Sequence, residues 1–434
     1  MSPGVPSAGS GRRPAWPGMG LSGFALALLG LVTFGPPLHA ERELRDIDQP
    51  PHEYAKRTPR DPFSRIMGGL ASGEIALDRT DEKRFLTSLL SVLGVPASSQ
   101  MLVFSTTSLQ LSLISPANPR ALYFNDEVYV GYIPGGRIEI VSVDPEWGGI
   151  FYIFDIPREG RPLQFERSDR CMNCHARDDT GQVPGLVVKS VIPGAGGGSL
   201  TAYRIGQSGH TIPLEQRFGG WHVTGADSFT NHYGNVTGTQ SEGKLTKIPN
   251  PPGVRFRWDR YLVPRSDLLP QLVHEHQVGF ANRVAHAAYL TREILTESAG
   301  QLSAAQAAEM DESARNLTRY LLFAEEAPLP AGGVAGDADF KSDFLRQRRT
   351  APGGESLKDF DLTTRLFRHR CSYLIYAPSF AQLPSILKQR VYQHLGRALR
   401  GDDKSPDFAY LPVAERQSIR TILKATLTDL PAGW

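Results

Sequence analysis

Between Asp81 and Pro96 the apolar positions Phe85, Leu86, Leu89, Leu90 and Leu93 recur at helical spacing. Asp81 and Glu82 supply the negative charge that suits a first turn, and Gly94 with Pro96 marks the stop. Beyond it the period drops to about two. Leu122-Tyr123-Phe124, Val128 to Tyr132, Ile138 to Val143 and Ile150 to Phe154 are β-branched and aromatic runs, broken by Asn125-Asp126, Pro134-Gly135-Gly136 and Trp147-Gly148-Gly149. Such short polar breaks predict antiparallel hairpins. From there to about Pro252 the pattern is loop-rich. Short apolar runs at Gly185 to Val188 and Ser190 to Ile192 precede the glycine cluster Gly194 to Gly198, then Arg217 to Gly225 and Asn231 to Asn235. From Asp267, a suitable N-cap with Pro270 tolerated in the first turn, the pattern is helical again. Leu269, Leu272, Val273, His276, Phe280, Val284, Ala287 and Ile294 share one face, with His274 almost opposite. Further helices are expected over Ala304–Glu326, Leu362–Tyr376 and Pro384–Leu399, with a proline- and glycine-rich loop from Pro328 through Asp339. The sum is an α+β fold: a β-rich N-terminal region, a loop-rich middle and a mainly helical C-terminal region.

The first forty residues follow a different logic. Arg12 and Arg13 precede an apolar stretch of about fourteen residues from Leu21 to Phe34, and Leu38-His39-Ala40 offers a small-residue cleavage site. This is the layout of an export signal, with Glu41 as the mature start. The stretch falls short of the roughly 20 residues that span a bilayer, so no stable transmembrane anchor is expected. Arg12-Arg13 is only a weak twin-arginine signal, since Pro14 and Ala15 follow. After the signal a proline- and charge-rich arm runs from Glu41 to Asp61.

Composition narrows the choices. Among 434 residues, 40% are hydrophobic and 21% charged, and 47 basic against 45 acidic side chains leave a formal charge of +2. That is ordinary for a globular protein, and no charge excess points to nucleic acid or lipid. Three cysteines exclude a disulfide framework.

Two of those cysteines lie in Cys171-Met172-Asn173-Cys174-His175. In an exported chain this Cys-x-x-Cys-His spacing is the attachment site of a c-type haem: two thiols join the porphyrin through thioethers and the adjacent histidine ligates the iron. A closed zinc site would need four ligands, and only the distant Cys371 or scattered histidines remain. A thioredoxin-like pair would sit where a strand enters a βαβ helix, whereas the preceding segment, Gly160 to Arg167, is polar and loop-like. One covalent haem c per chain is therefore expected, with Cys171 and Cys174 as thioether residues, His175 as proximal ligand and Cys371 as a buried thiol. The regions become a signal peptide over 1–40, an α+β region over 41–160, a haem-attachment segment over 161–260 and a helical region over 261–434 that completes the pocket.

A second axial ligand is expected from His276, because an imidazole in the middle of an apolar stripe needs partners for its nitrogens. His232, His210 and Met310 compete, Met310 lying on a helical face with Ala307, Ala314, Leu317 and Leu321, where methionine is usually core. Arg170, Arg177 and Lys189 are the cations nearest the motif, read as solvated charges.

The motif resembles that of c-type cytochromes. Arg120 to Asp126, Gly219 to Gly225, Glu275-His276-Gln277 and Cys371 to Tyr376 are similar to segments of a functionally uncharacterised family of secreted bacterial proteins bearing one such haem motif. The resemblance implies a bacterial periplasmic cytochrome with Cys171, Cys174 and His175 in the roles given. The expected function is single-electron transfer to a redox partner protein. The alternative is a haem enzyme or sensor that binds oxygen, peroxide or another small molecule at an open sixth position, a reading that the length of the chain favours.

Overall fold

The computed structural model describes residues 45–156, 161–203, 207–226 and 229–434. The expected export signal over 1–40 lies outside them, as do residues 41–44 of the arm and Gly160. The arm from Arg45 is pinned at its start, where the Arg45 guanidinium reaches both carboxylate oxygens of Glu293 at 2.5 and 3.0 Å and its backbone N–H donates to Gln182. Helix α1 (Pro62–Ser72) follows, capped by Asp61, whose carboxylate accepts the N–H groups of Phe63 and Ser64, with Pro62 in the first turn. Helix α2 (Glu82–Val92) is capped by Asp81 and buries Phe85, Leu86, Leu89 and Leu90, as the spacing required.

Strands β1 (Met101–Val103), β2 (Arg120–Phe124), β3 (Val128–Tyr132), β4 (Ile138–Asp144) and β5 (Gly148–Phe154) form the body of an antiparallel sheet. A short β6 (Glu166–Arg167) joins the edge beside β5. After it come the single turn α3 (Met172–His175), the hairpin β7 (Val191–Pro193) with β8 (Ser199–Ala202), and β9 (Trp221–His222), which closes the other edge beside β1. The order is β6-β5-β4-β3-β2-β1-β9. A second hairpin pairs β10 (Val236–Ser241) with β11 (Lys244–Pro249). The helical remainder consists of α4 (Leu268–Glu297), α5 (Ala304–Leu321), α6 (Ala338–Leu345), α7 (Pro378–Ala381), α8 (Ser385–Arg400) and α9 (Val413–Thr426). The fold is α+β. None of the helices among the described residues is long and apolar enough to cross a membrane.

Because side chains alternate across a strand, the register sorts the sheet into two faces. Ala121, Tyr123, Val130, Tyr132, Ile138, Ile140, Tyr152 and Phe154 share a core with α1 and α2. On the other face Met101, Val103, Phe124, Tyr129 and Val143 join a larger core built on α4, α5, α8 and α9.

Helix α4 departs from the single apolar stripe expected of it, since every residue from Leu268 to Phe280 is buried. It is enclosed because it is the middle layer: His274 packs on Phe124 and Tyr129 of the sheet, while His276 packs on Phe323 at the end of α5. The helix expected over Leu362–Tyr376 is also corrected. The segment is irregular apart from a 3-10 turn at Tyr373–Tyr376. Leu366, Phe367, Cys371, Tyr373, Leu374 and Ile375 are all buried, so its apolar residues face core on more than one side, and its backbone bonds reach outward, as from Ser372 to Leu321.

Candidate functional site

The Cys-x-x-Cys-His turn follows directly on β6, the edge strand beside β5. Ser168 donates its backbone N–H to Phe151 of β5, a 3-10 turn over Asp169–Cys171 follows, and α3 carries the rest of the motif. Three residues apart on one turn, the two thiols face the same side. Neither is in a disulfide; Cys174 is exposed and Cys171 half-buried. Burial pushes the Cys171 thiol upward, so it stays protonated near neutrality.

His175 is held more firmly than its neighbours. Its ring lies 4.5 Å from that of Phe151, and Nδ1 is 2.8 Å from the carbonyl oxygen of Gly185. A carbonyl only accepts, so Nδ1 carries the proton and Nε2 presents a lone pair. Desolvation lowers the ring to about 4, which keeps it neutral at pH 7 and able to ligate a metal.

The carbonyl that orients His175 is itself fixed from three directions. Gly185 N–H returns to the carbonyl of His175 at 2.8 Å, and Pro184 accepts from Gly149 of β5 at 2.8 Å. From α4, Asn282 brackets the next residue, Oδ1 accepting the Leu186 N–H and Nδ2 donating to the Leu186 carbonyl, both at 2.8 Å. There is no room for a side chain at position 185: a Cβ would stand 2.5 Å from Asn282 Oδ1 and 2.9 Å from Thr180 Cβ. Sequence reasoning did not single out Phe151 or Asn282, and read Gly185 only as part of an apolar run. Their role comes from contacts across the fold that no local period encodes.

The remaining sequence-derived candidates lie elsewhere. His276 is fully buried in the helical core, with Nδ1 2.8 Å from Nδ1 of His210 and Nε2 2.8 Å from the Ser372 hydroxyl. As an iron ligand it would have to give up one of those bonds. Desolvation lowers both histidines, His276 to about 3, so this pair is neutral, one ring donating and the other accepting. His232 is half-buried and its Nδ1 accepts the Gly234 N–H at 2.9 Å. Met310 is fully enclosed in the core beside Ala314 and Leu317, and Cys371 is buried there too. Arg170 and Arg177 are exposed, and Lys189 pairs with Asp179 at 2.8 Å. Among the described residues, no group of three or more His, Cys, Asp or Glu side chains is placed to hold a metal ion.

No model of a known protein family matches the chain, and neither a curated protein nor a solved structure is similar to it.

Proposed function

We propose that the chain is a periplasmic c-type cytochrome that carries one covalent haem on Cys171 and Cys174, with His175 as proximal ligand, and passes single electrons to a redox partner protein. The observation that carries this reading is the bond from His175 Nδ1 to the Gly185 carbonyl, on the same turn as two unpaired thiols. Metal-ligating histidines characteristically donate their second ring nitrogen in this way. The haem, when bound, supplies an iron that cycles between ferrous and ferric states. The Cys171 and Cys174 thiols would hold the group covalently. The chain also supplies a fixed imidazole and an exposed edge at Cys174.

The engagement of both His276 nitrogens by protein groups favours a second reading, in which the sixth position stays open and the protein is a haem enzyme or sensor for oxygen, peroxide or a similar small molecule. Spectra of the holoprotein, produced in a host with haem c maturation, separate the two. A low-spin reduced spectrum insensitive to carbon monoxide is expected for electron transfer, and ready carbon monoxide binding is the outcome for the second reading. His276→Ala converts low-spin to high-spin iron only if His276 is the distal ligand. Absence of pigment from acid-acetone-extracted, denatured protein overturns both readings.

A further inference from the structure

Between the C-terminal end of α2, the β2–β3 turn and α6 the structure holds a cleft of about 370 Å³. It lies away from the Cys-x-x-Cys-His turn. Phe124 in its lining and Phe151 beneath His175 stand three strands apart in one cross-strand row, about 14 Å at normal strand spacing. The apolar part of the lining comes from Leu90, Val95 and three phenylalanines, Phe124, Phe340 and Phe344, whose rings follow one another at 6.0 and 5.8 Å. The charged part is Asp126, Glu127, Asp343, Arg346 and Lys358. An apolar concavity into which a few polar groups converge has the form of a small-molecule site.

All but one of these charges are matched inside the protein. Lys358 donates to Asp126 at 2.8 Å, and Gln277 reaches the other oxygen of that carboxylate at 3.4 Å. Asp343 accepts from the Ser98 hydroxyl at 2.6 Å and from Arg346. Glu127 is the exception. Its backbone is committed, the N–H to Asn125 and the carbonyl to Val143, but among the described residues no donor bonds its carboxylate. Arg65 acts on it only from a distance, because that guanidinium is bonded to the Arg60 carbonyl at 2.8 and 3.1 Å. Burial, and then the neighbouring Asp126, push the Glu127 carboxyl up from its ordinary value.

The protein shows beside this cleft how it stabilises an ammonium. Lys358 Nζ stands 4.5 Å from the Phe344 ring centroid and 4.7 Å from that of Tyr373, paired with Asp126. Aromatic faces and a carboxylate both favour a cation placed between them. Glu127 with Phe124 and Phe340 offers the same combination of groups and has no cation of its own.

We infer that this cleft binds a small organic ammonium ion, with its charge on Glu127 and its hydrocarbon body against Phe124, Phe340 and Phe344. An anion would meet three carboxylates against two cations. A metal ion fits poorly, since among the described residues no three His, Cys, Asp or Glu side chains converge to hold one and phenyl rings donate no lone pair. The volume is at the small end for ligand clefts, which suits a compact amine.

The test is isothermal titration calorimetry of the full chain with isobutylamine and 2-phenylethylamine, and with 2-phenylethanol as the uncharged counterpart. Both amines should bind, and the alcohol should bind about 10-fold more weakly or not at all, as expected for loss of a charge-assisted bond. Glu127→Gln should weaken the amines by about the same factor while keeping the urea midpoint, and Glu312→Gln on the exposed side of α5 should change neither. Failure of both amines to bind the folded wild-type chain, equal affinity for the alcohol, or undiminished amine binding by Glu127→Gln overturns the inference. The amine–alcohol comparison on the wild-type chain decides it even where the variant is unstable. None of these results depends on covalent haem, so the cytochrome reading stands or falls separately.

Discussion

Replacing Asn282 by Ala should loosen the Cys-x-x-Cys-His turn through Leu186 and Gly185, and the size of the effect follows from the bonds removed. Asn282 is almost wholly buried and spends both ends of its amide on Leu186. Truncation removes two hydrogen bonds, each contributing about 1 kcal/mol, and leaves a buried N–H and a buried carbonyl without those partners, for a total loss of about 2–5 kcal/mol. At a denaturant slope of about 3 kcal/mol per molar urea, the unfolding midpoint should drop by roughly 1 M. The second consequence is local. With Leu186 released, the Gly185 carbonyl no longer holds a fixed position for His175 Nδ1, and on the haem reading proposed above an added ligand should displace His175 from the iron about 10–100-fold more readily. Asn282→Asp is the informative companion, because it keeps the acceptor for Leu186 N–H but sets an oxygen against the Leu186 carbonyl. Urea titration followed by far-ultraviolet circular dichroism reads the first effect, and imidazole titration of the ferric spectrum reads the second. An Ala variant with an unchanged midpoint and an unchanged imidazole affinity would refute the argument that α4 orients His175.

Gly185→Ala should cost about 1–3 kcal/mol, since the added methyl meets Asn282 Oδ1 at 2.5 Å and the backbone must shift; an unaltered melting temperature would contradict it. Acid should destabilise the fold through its buried histidines. Desolvation lowers His276 and His222 to about 3, below the unfolded value near 6.5, so their stabilisation is complete above pH 6.5 and is lost as pH falls toward 3. Between pH 6.5 and 5 the pair should remove about 4 kcal/mol, while Glu326, raised by burial to about 7, acts with the opposite sign and restores up to about 2 kcal/mol. Urea midpoints across that range should therefore fall with pH, and more steeply in Glu326→Gln; a rise toward pH 5 would show the signs to be wrong. Asp267→Ala should cost about 1–2 kcal/mol, measured by thermal unfolding, because its carboxylate accepts from Leu269 at the start of α4 and from Asp337 at the start of α6.

Much of the framework is legible in the chain. The β2 to β5 runs announce themselves because each strand is pleated between a core and a second covered or half-covered face, and α2 carries both a stripe and its stop signals. Other elements were hidden by their composition. Hairpin β10–β11 is polar and mostly exposed, so no alternation betrays it, yet Glu242 and Gly243 at its tip both adopt positive φ, 50° and 76°, and an acidic residue followed by glycine is the available signal. Helix α1 follows Asp61-Pro62, a cap and first-turn pair that could have located it. The stretch Leu362–Tyr376 misled in the other direction, because a run buried on several sides can resemble a helix face without having room for a helix.

The proposed chemistry rests on a different kind of signal than the fold. Cys171, Cys174 and His175 lie within five residues, so spacing alone raises the haem reading, whereas Asn282 acts on a residue 96 positions away and leaves no trace in any local pattern. Helix α4 is where the two kinds of information meet. Ala285 and Tyr289 belong to the core beneath the sheet, Val284 and Ala288 to the helical core above it, and Asn282 between them bonds Leu186, next to the Gly185 carbonyl that holds His175. A short motif can attach a haem, but it cannot by itself hold an imidazole at a fixed angle. In this chain the His175 ring is oriented by a helix anchored in two cores at once, so on the haem reading proposed above substitutions in the helical layer should reach the iron through Leu186 and Gly185 without touching the motif.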